Sequence, residues 1–152
     1  MFPDVSRGSG RRGVQRGNGT IMIDADFAPA QDALDAAPLR DLEPLREPGA
    51  FAVLVREIGE DGASEVRAVF WSETSARLEL FRTLALDQHR ARIAREAHSL
   101  KSTARTFGYL RLATLASVLE STADALGDAE FHDLLQRMDT AFAAAKAQES
   151  QD

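Results

Sequence analysis

The fold of this chain is decided by the stretch from residue 93 to residue 108, which reads IAREAHSLKSTARTFG. Its apolar residues recur at alternating steps of four and three, which is the spacing of one face of an α-helix. A glycine closes the pattern, and glycine commonly ends helices in a left-handed conformation. The stretch therefore predicts an amphipathic helix over about 88–107. Its apolar face consists of Ile93, Ala97, Leu100, Ala104 and Phe107.

Similar patterns lie on both sides of this stretch. No proline occurs from residue 50 onward, and the spacing predicts further helices over about 62–85, 109–126 and 129–147. We expect Asp87 and Asp128 to be the N-caps of the second and fourth long helices. The segment 51–58 also has helical spacing, and we predict a helix there. The other predicted core positions are Val66, Phe70, Thr74, Leu78, Phe81, Ala85, Leu112, Leu115, Leu119, Leu126, Phe131, Leu135, Met138 and Phe142.

These elements predict an all-α fold. Amphipathic helices joined by short loops bury their apolar stripes against one another, so we expect an antiparallel four-helix bundle with short N-terminal helices packed on one end. Residues 50–149 form this predicted bundle. Residues 24–49 hold four prolines, which allow only short helical turns. Residues 1–23 are rich in Gly and Arg and are predicted to be a flexible tail.

Composition excludes several classes of protein. The chain has 152 residues, 44% of them hydrophobic and 28% charged, which is typical of a globular domain. It has no cysteine, so disulfides and thiolate metal sites are excluded. No apolar run reaches the roughly 18 residues of a membrane span, and no signal-peptide core is present. We therefore expect a soluble, cytoplasmic protein that does not bind membranes.

The net charge of −6 is unevenly distributed. Basic side chains concentrate between residues 87 and 111 and in the first twenty residues, whereas residues 21–86 and 112–152 are acidic. A local basic segment favours a local anionic partner, whereas a nucleic-acid-binding protein usually has a broader positive surface. A solvated helix face explains the same charges equally well at this point. The basic residues of the segment are Arg90, Arg92, Arg95, Lys101, Arg105 and Arg111.

His98 lies on the outer side of the predicted central helix. At 100° per residue, the apolar face points about 140° away from this side chain, so we expect the imidazole to be exposed. An exposed imidazole with one nitrogen held by a hydrogen bond is a good nucleophile near neutral pH. The neighbours on its face are small or basic, which suits the approach of another protein that carries an anionic group. These neighbours are Ala91, Ala94, Arg95, Lys101, Ser102 and Arg105.

The region around His98 resembles the histidine-containing phosphotransfer (HPt) domain family. The family motif is His-x-Leu-Lys-Gly, followed by a glycine ten positions after the histidine. His98, Leu100, Lys101 and Gly108 match it. The resemblance covers residues 38–147 and is strongest over 93–120, where the downstream leucines and the pair Leu119-Glu120 also fall at the family's positions.

The resemblance implies a role for each matched residue. His98 is the expected phospho-accepting residue, and Lys101 is expected to neutralise the phosphoryl oxygens. Glu120 is expected to accept a hydrogen bond from Nδ1 of the histidine, which leaves Nε2 free. Gly108 is expected to turn the chain into the next helix. The family usually has glycine where this chain has Ser102, which lies on the expected receiver-docking face with Ala94, Arg95 and Arg105.

The resemblance also implies the partners. They are response-regulator receiver domains, and a hybrid histidine kinase is a further candidate. The receiver would supply Mg²⁺, so this chain is expected to bind no metal or cofactor. It is expected to act as a monomer and as a phosphate carrier without turnover of a small molecule.

Other functions remain as alternatives. The main one is an HPt-like adaptor that binds receivers or other helices without accepting phosphate. A histidine-kinase dimerisation helix normally has an acidic residue after its histidine, but Ser99 follows here. A zinc hydrolase is disfavoured because His89 and His98 lack the i, i+4 spacing of such sites. We predict that His89 and His132 are surface residues.

Overall fold

The computed structural model describes residues 44–151, which form four α-helices. Helix α1 spans Ala50–Thr83, α2 spans Leu86–Thr106, α3 spans Leu110–Thr122 and α4 spans Asp128–Glu149. The all-α four-helix bundle is thereby confirmed. The predicted tail and residues 24–43 lie outside the described residues, and residues 44–49 form turns rather than a helix. None of the helices within 44–151 combines the length and apolar character that a membrane span requires.

Helix α3 runs antiparallel to α2, and α4 runs antiparallel to α1. Arg90, near the start of α2, donates to the carbonyl of Leu126, which follows the end of α3. His98, further along α2, contacts Glu120, which precedes Leu126 in the chain. Advancing along α2 therefore means going backwards along α3. The pairs that show the same antiparallel relation between α1 and α4 are Arg67 with Glu149 and Arg82 with Asp139.

A sharp bend divides α1 at Gly59. This glycine has φ 83° and ψ 164°, a left-handed region that side chains other than glycine rarely adopt. In a continuous helix, Phe51 and Arg67 would lie about 24 Å apart at 1.5 Å per residue. Instead, the guanidinium carbon of Arg67 lies 3.9 Å from the ring centroid of Phe51. The chain thus bends back, and the predicted helix over 51–58 is the first arm of α1.

The core contains most of the predicted positions. Phe107 and Phe142 are only partly buried, and two further predictions were wrong. Val66 is 39% exposed because it lies about 70° from the centre of the buried stripe of α1. Ala85 is exposed because α1 ends at Thr83, so this alanine lies in the loop. Ala63 is fully buried beside the bend, although the sequence analysis did not place it in the core.

Several helix ends differ from the prediction. The third helix ends at Thr122, four residues early, because Arg90 donates to the carbonyls of Ala123 and Leu126 and stabilises the turn that follows. Asp87 and Asp128 are not N-caps. The capping positions are Ala85 for α2 and Gly127 for α4, and each aspartate lies in the first helical turn.

The turn between α2 and α3 is built around Gly108. Its φ of 77° is left-handed, in agreement with the conformation that the resemblance implied. The carbonyl of Gly108 accepts a hydrogen bond from the backbone N–H of Glu47 at 2.7 Å. A Cβ at position 108 would lie only 2.5 Å from the Cβ of Ala50. The start of α1 is therefore packed directly against this turn, at one end of the bundle.

The same end of the bundle contains a polar cluster around Glu149. Its carboxylate accepts a hydrogen bond from the buried Tyr109 hydroxyl and forms ion pairs with Arg46 at 3.7 Å and Arg67 at 3.3 Å. Burial, and then the bond to Glu149, raise the pKa of Tyr109. The cluster joins the end of α4 to α1 and to the segment before α1.

Candidate functional site

His98 lies at the surface in the middle of α2. Its side chain is 60% exposed, whereas Ala97 and Leu100 on the opposite side of the helix are completely buried. The outward direction predicted from the helical period is therefore correct. An imidazole in this position is accessible to another macromolecule.

Glu120 of α3 holds one nitrogen of this ring. The distance between Nδ1 of His98 and Oε1 of Glu120 is 2.6 Å. An ionised carboxylate only accepts hydrogen bonds, so Nδ1 must carry the proton. In the neutral imidazole, the lone pair then resides on Nε2, the nitrogen that does not face Glu120.

The close approach of α2 and α3 makes this contact possible. The buried side chains of both helices include alanines, which allow two backbones to approach closely. A glutamate on one helix can then reach a histidine on the other without a long bridging side chain. The buried alanines are Ala97, Ala104, Ala113 and Ala116.

Lys101 contacts the second oxygen of the same carboxylate. Its Nζ pairs with Oε2 of Glu120, and its side chain is only 18% exposed. The hydrogen bond from Lys101 is the main cause that lowers the pKa of Glu120, with a further contribution from His98 and opposition from partial burial. Glu120 is thus held as an anion that bridges a lysine and a histidine.

Ser102 turns its hydroxyl back to its own helix. The hydroxyl donates to the carbonyl of His98 at 3.1 Å. Bonded in this way, the side chain follows the helix surface and projects little towards a partner. Ser102, which replaces the family's glycine, therefore adds little bulk beside the imidazole.

The arginines of α2 fall into two groups, those that bind other parts of the fold and those that do not. Arg90 is used within the fold, since it pairs with Asp87 and binds the carbonyls after α3. In contrast, Arg92, Arg95 and Arg105 are exposed and form no ion pair within the described part of the chain. Of these, Arg95 and Arg105 lie within about 60° of His98 around the helix and are available to a partner that approaches the histidine.

The structure places the predicted docking residues on the exposed side of α2. Arg95, Ser102 and Arg105 are exposed, and Ala94 is partly buried. Two features were missed by the sequence analysis. One is Ser117, a partly exposed residue one turn before Glu120 that adds a small side chain from α3. The other is the contact between Lys101 and Glu120, because the resemblance assigned the lysine only to the phosphoryl group.

The other histidines do not join this site. His132 is exposed on α4, and His89 is partly buried at a local distortion of α2, where its φ is −131°. The prediction of surface positions is thus confirmed for His132 and only partly for His89. Within residues 44–151, no three His, Asp or Glu side chains are grouped so as to hold a metal ion.

Comparison with known proteins identifies a protein family. The model of a family described as "Hpt domain" matches residues 65–148, which is more than half of the chain. The matched region includes His98, Lys101 and Glu120, together with all of α2 and α3. No curated protein and no solved structure matches the chain significantly.

Proposed function

Because the chain belongs to the Hpt domain family, we propose that His98 accepts a phosphoryl group and exchanges it with aspartates of receiver domains. Histidine phosphotransfer in phosphorelays is the general role of this family. The observation that carries the proposal is an exposed imidazole whose Nδ1 is held by Glu120 at 2.6 Å. That arrangement presents Nε2 to a partner as a nucleophile.

The transfer step needs little from this chain besides position and charge. The lone pair of Nε2 attacks the phosphorus of the receiver's aspartyl phosphate, the N–P bond forms, and the bond between phosphorus and the aspartate oxygen breaks. The aspartate leaves as a carboxylate. Such in-line displacements have a loose transition state, so alignment and neutralisation of charge dominate their catalysis.

Glu120 stabilises the product of this step. When Nε2 carries the phosphoryl group and Nδ1 keeps its proton, the imidazole ring becomes cationic. The carboxylate of Glu120, held as an anion by Lys101, lies against that cation. Since the charge develops during transfer, this contact is stronger in the transition state than in the starting complex.

Lys101 is proposed to stabilise the phosphoryl oxygens as well. The lysine lies one helical turn after His98, on the same face of α2. Its amine is bound to Glu120 in the unphosphorylated chain. An ammonium group has three donors, so it can bind a phosphoryl oxygen while it keeps its contact with the carboxylate.

The partner is proposed to supply the metal. Receiver domains in the cytoplasm would bring Mg²⁺ and their own acidic residues to the complex, and a hybrid histidine kinase is a second candidate partner. The exposed Arg92, Arg95 and Arg105 complement such an acidic surface and would accelerate encounter. One copy of the chain is sufficient for this exchange.

Replacement of His98 by alanine tests the proposal, with His132→Ala as a matched control because both side chains are exposed. Each protein is incubated with phosphoramidate and with phosphorylated receiver domains encoded in the same genome, and acid-labile phosphate is mapped. We expect phosphate on the wild type and on His132→Ala, and none on His98→Ala. Melting temperatures should be nearly equal, since exposed substitutions change stability by less than about 0.5 kcal/mol.

Two other results would change the assignment. Phosphate on His98→Ala would identify another acceptor. Binding of a receiver by the wild type without any phosphate uptake would instead identify the chain as a non-phosphorylated adaptor.

A further inference from the structure

Residues 24–43, which precede the described part of the chain, are strongly acidic. Six acidic residues and a single arginine give this segment a formal net charge of −5. A phenylalanine and three leucines lie among them. The proposed function gives these side chains no role. The acidic residues are Asp24, Asp26, Asp32, Asp35, Asp41 and Glu43.

The segment joins the bundle beside the end of α2. The backbone N–H of Glu47 donates to the carbonyl of Gly108 at 2.7 Å, so the chain enters next to the turn that follows α2. Gly108 comes ten residues after His98, which corresponds to about 15 Å along a helix. Ten residues of chain can span up to about 33 Å. Residues 24–43 can therefore reach the exposed side of α2 around His98.

The exposed side of α2 is positively charged. Three of its arginines are exposed and form no ion pair with any residue of the described range 44–151. Both acidic residues of the helix are neutralised by other arginines, since Asp87 pairs with Arg90 and Glu96 pairs with Arg77. No carboxylate of α2 is therefore left to balance the three arginines, which are Arg92, Arg95 and Arg105.

The exposed side of α1 has the opposite charge. Asp61, Glu65 and Glu73 are exposed on its second arm at spacings of four and eight residues, so they lie on one side of the helix. An acidic segment is repelled by this surface and attracted by α2. Residues 1–20 hold four arginines and one aspartate, so they have the wrong sign for α2. Charge therefore selects residues 24–43 as the segment that fits the arginines beside His98.

We propose that residues 24–43 bind the exposed side of α2 and cover His98, in competition with receiver domains. The occupant is an acidic segment of the same chain, and its effect is to lower the rate of phosphate exchange. The competition rests on the proposed function, because it controls access to the same imidazole. The contact itself does not depend on phosphate transfer.

The tether makes a weak contact sufficient. A segment held by a short stretch of chain has an effective concentration of about 1 mM. A contact whose Kd is about 0.1–1 mM would then cover α2 in about half to nine-tenths of the molecules. Since only uncovered molecules bind a receiver, loss of the contact should accelerate exchange by about twofold to tenfold.

A spin label tests the contact in the full chain. The chain has no cysteine, so Ala33→Cys provides a single site for a nitroxide, which broadens the NMR signals of nearby backbone amides. We expect stronger broadening over residues 95–105 of α2 than over residues 65–73 of α1. The difference should disappear in 1 M NaCl, where the Debye length is only about 3 Å. The control is the same labelled chain with three amide substitutions, which keep the tether and remove charge: Asp26→Asn, Asp32→Asn and Asp35→Asn.

Exchange rates test the competition. The unlabelled chain with the same three amide substitutions should exchange phosphate with a receiver about twofold to tenfold faster than the wild type. A second triple variant has the same net charge but loses its carboxylates from α1, and it should exchange at the wild-type rate. This control separates the proposed contact from a general change in the attraction between the two proteins. Its substitutions are Asp61→Asn, Glu65→Gln and Glu73→Gln.

Two results would overturn the contact. They are broadening that is stronger on α1 than on α2, and broadening of α2 that persists in the labelled amide variant. Equal exchange rates in the two triple variants would overturn the competition. Failure of the wild type to exchange with any receiver would overturn the proposed function and the competition with it, whereas the spin label still decides the contact, so the failures are distinguishable.

Discussion

Nδ1 of His98 lies 2.6 Å from Oε1 of Glu120, although the two residues are 22 positions apart and lie on different helices. The contact fixes the imidazole tautomer and leaves Nε2 on the exposed side. It also makes the geometry of the site depend on how α2 and α3 pack. A nucleophile in a surface loop would lack such a rigid support.

Glu120→Ala should slow phosphate uptake by about tenfold to a hundredfold, because a misplaced reacting group can lower the rate by up to about a hundredfold. Glu120→Gln should slow uptake less, since its amide oxygen can still accept a hydrogen bond from Nδ1–H although the negative charge is lost. The rates are measured with a phosphorylated receiver, and receiver affinity is measured separately. An affinity that falls as much as the rate would mean that Glu120 acts in docking or in the fold.

The contact between Lys101 and Glu120 gives a prediction about pH. Lys101 holds the pKa of Glu120 below its ordinary value of 4.5, so Lys101→Met should raise this pKa towards 4.5. A group whose pKa is lowered in the folded state adds stability above its unfolded pKa and loses it as the pH falls through the folded value. The variant should therefore lose part of the stability that the wild type has above about pH 4.5.

Carboxyl NMR titration measures the pKa of Glu120 directly. Lys146→Met is the control, because Lys146 is exposed on α4 and remote from the site. In Lys146→Met, the pKa of Glu120 should equal that in the wild type. An unchanged pKa in Lys101→Met would refute the assigned cause. In a separate measurement, Lys101→Met should also slow transfer from a receiver.

A buried hydroxyl of the core, that of Thr74, gives a prediction about stability. Within the described residues, the hydroxyl of Thr74 is the buried side-chain atom without a hydrogen-bond partner. Thr74→Val has nearly the same shape and removes this cost, so it should stabilise the bundle by about 1 kcal/mol. Thr122→Val is the control, because the buried Thr122 hydroxyl donates to the carbonyl of Val118 at 2.7 Å.

Thr122→Val should be neutral or destabilising by up to about 1 kcal/mol, since it removes a hydrogen bond that the wild type makes. Urea denaturation of the three proteins compares them directly. If both variants shift the midpoint in the same direction and by the same amount, the hydrogen-bond state of the hydroxyl is not what decides the effect.

The helices themselves could be predicted because their apolar stripes are long and regular. Phe70, Leu100 and Met138 were all assigned to the core from spacing alone, and all are buried. The helix ends were predicted less well. Asp87 is a good N-cap by type, but the helix begins one residue earlier, at Leu86, and Asp87 pairs with Arg90 inside the first turn.

The site could be predicted only in part. The outward direction of His98 follows from the helical period, because one helix determines it. The position of Glu120 beside it depends on the register between two helices, and it was expected only through the family resemblance. The division of the arginines depends on contacts of long side chains across the fold. Arg90 binds backbone carbonyls, whereas Arg95 forms no ion pair with any residue of the described range 44–151.

Gly108→Ala tests the turn that connects the two helices of the site. A left-handed φ of 77° costs a residue with a side chain about 1–2 kcal/mol, and the new Cβ would also collide with Ala50 at 2.5 Å. We expect a total loss of about 2–4 kcal/mol in unfolding free energy, measured by urea denaturation. Gly62→Ala is the control, because its Cβ would meet Ile58 at an ordinary 3.5 Å. That variant should gain about 0.5–1 kcal/mol from helix propensity, and a similar gain in Gly108→Ala would disprove the role of the turn.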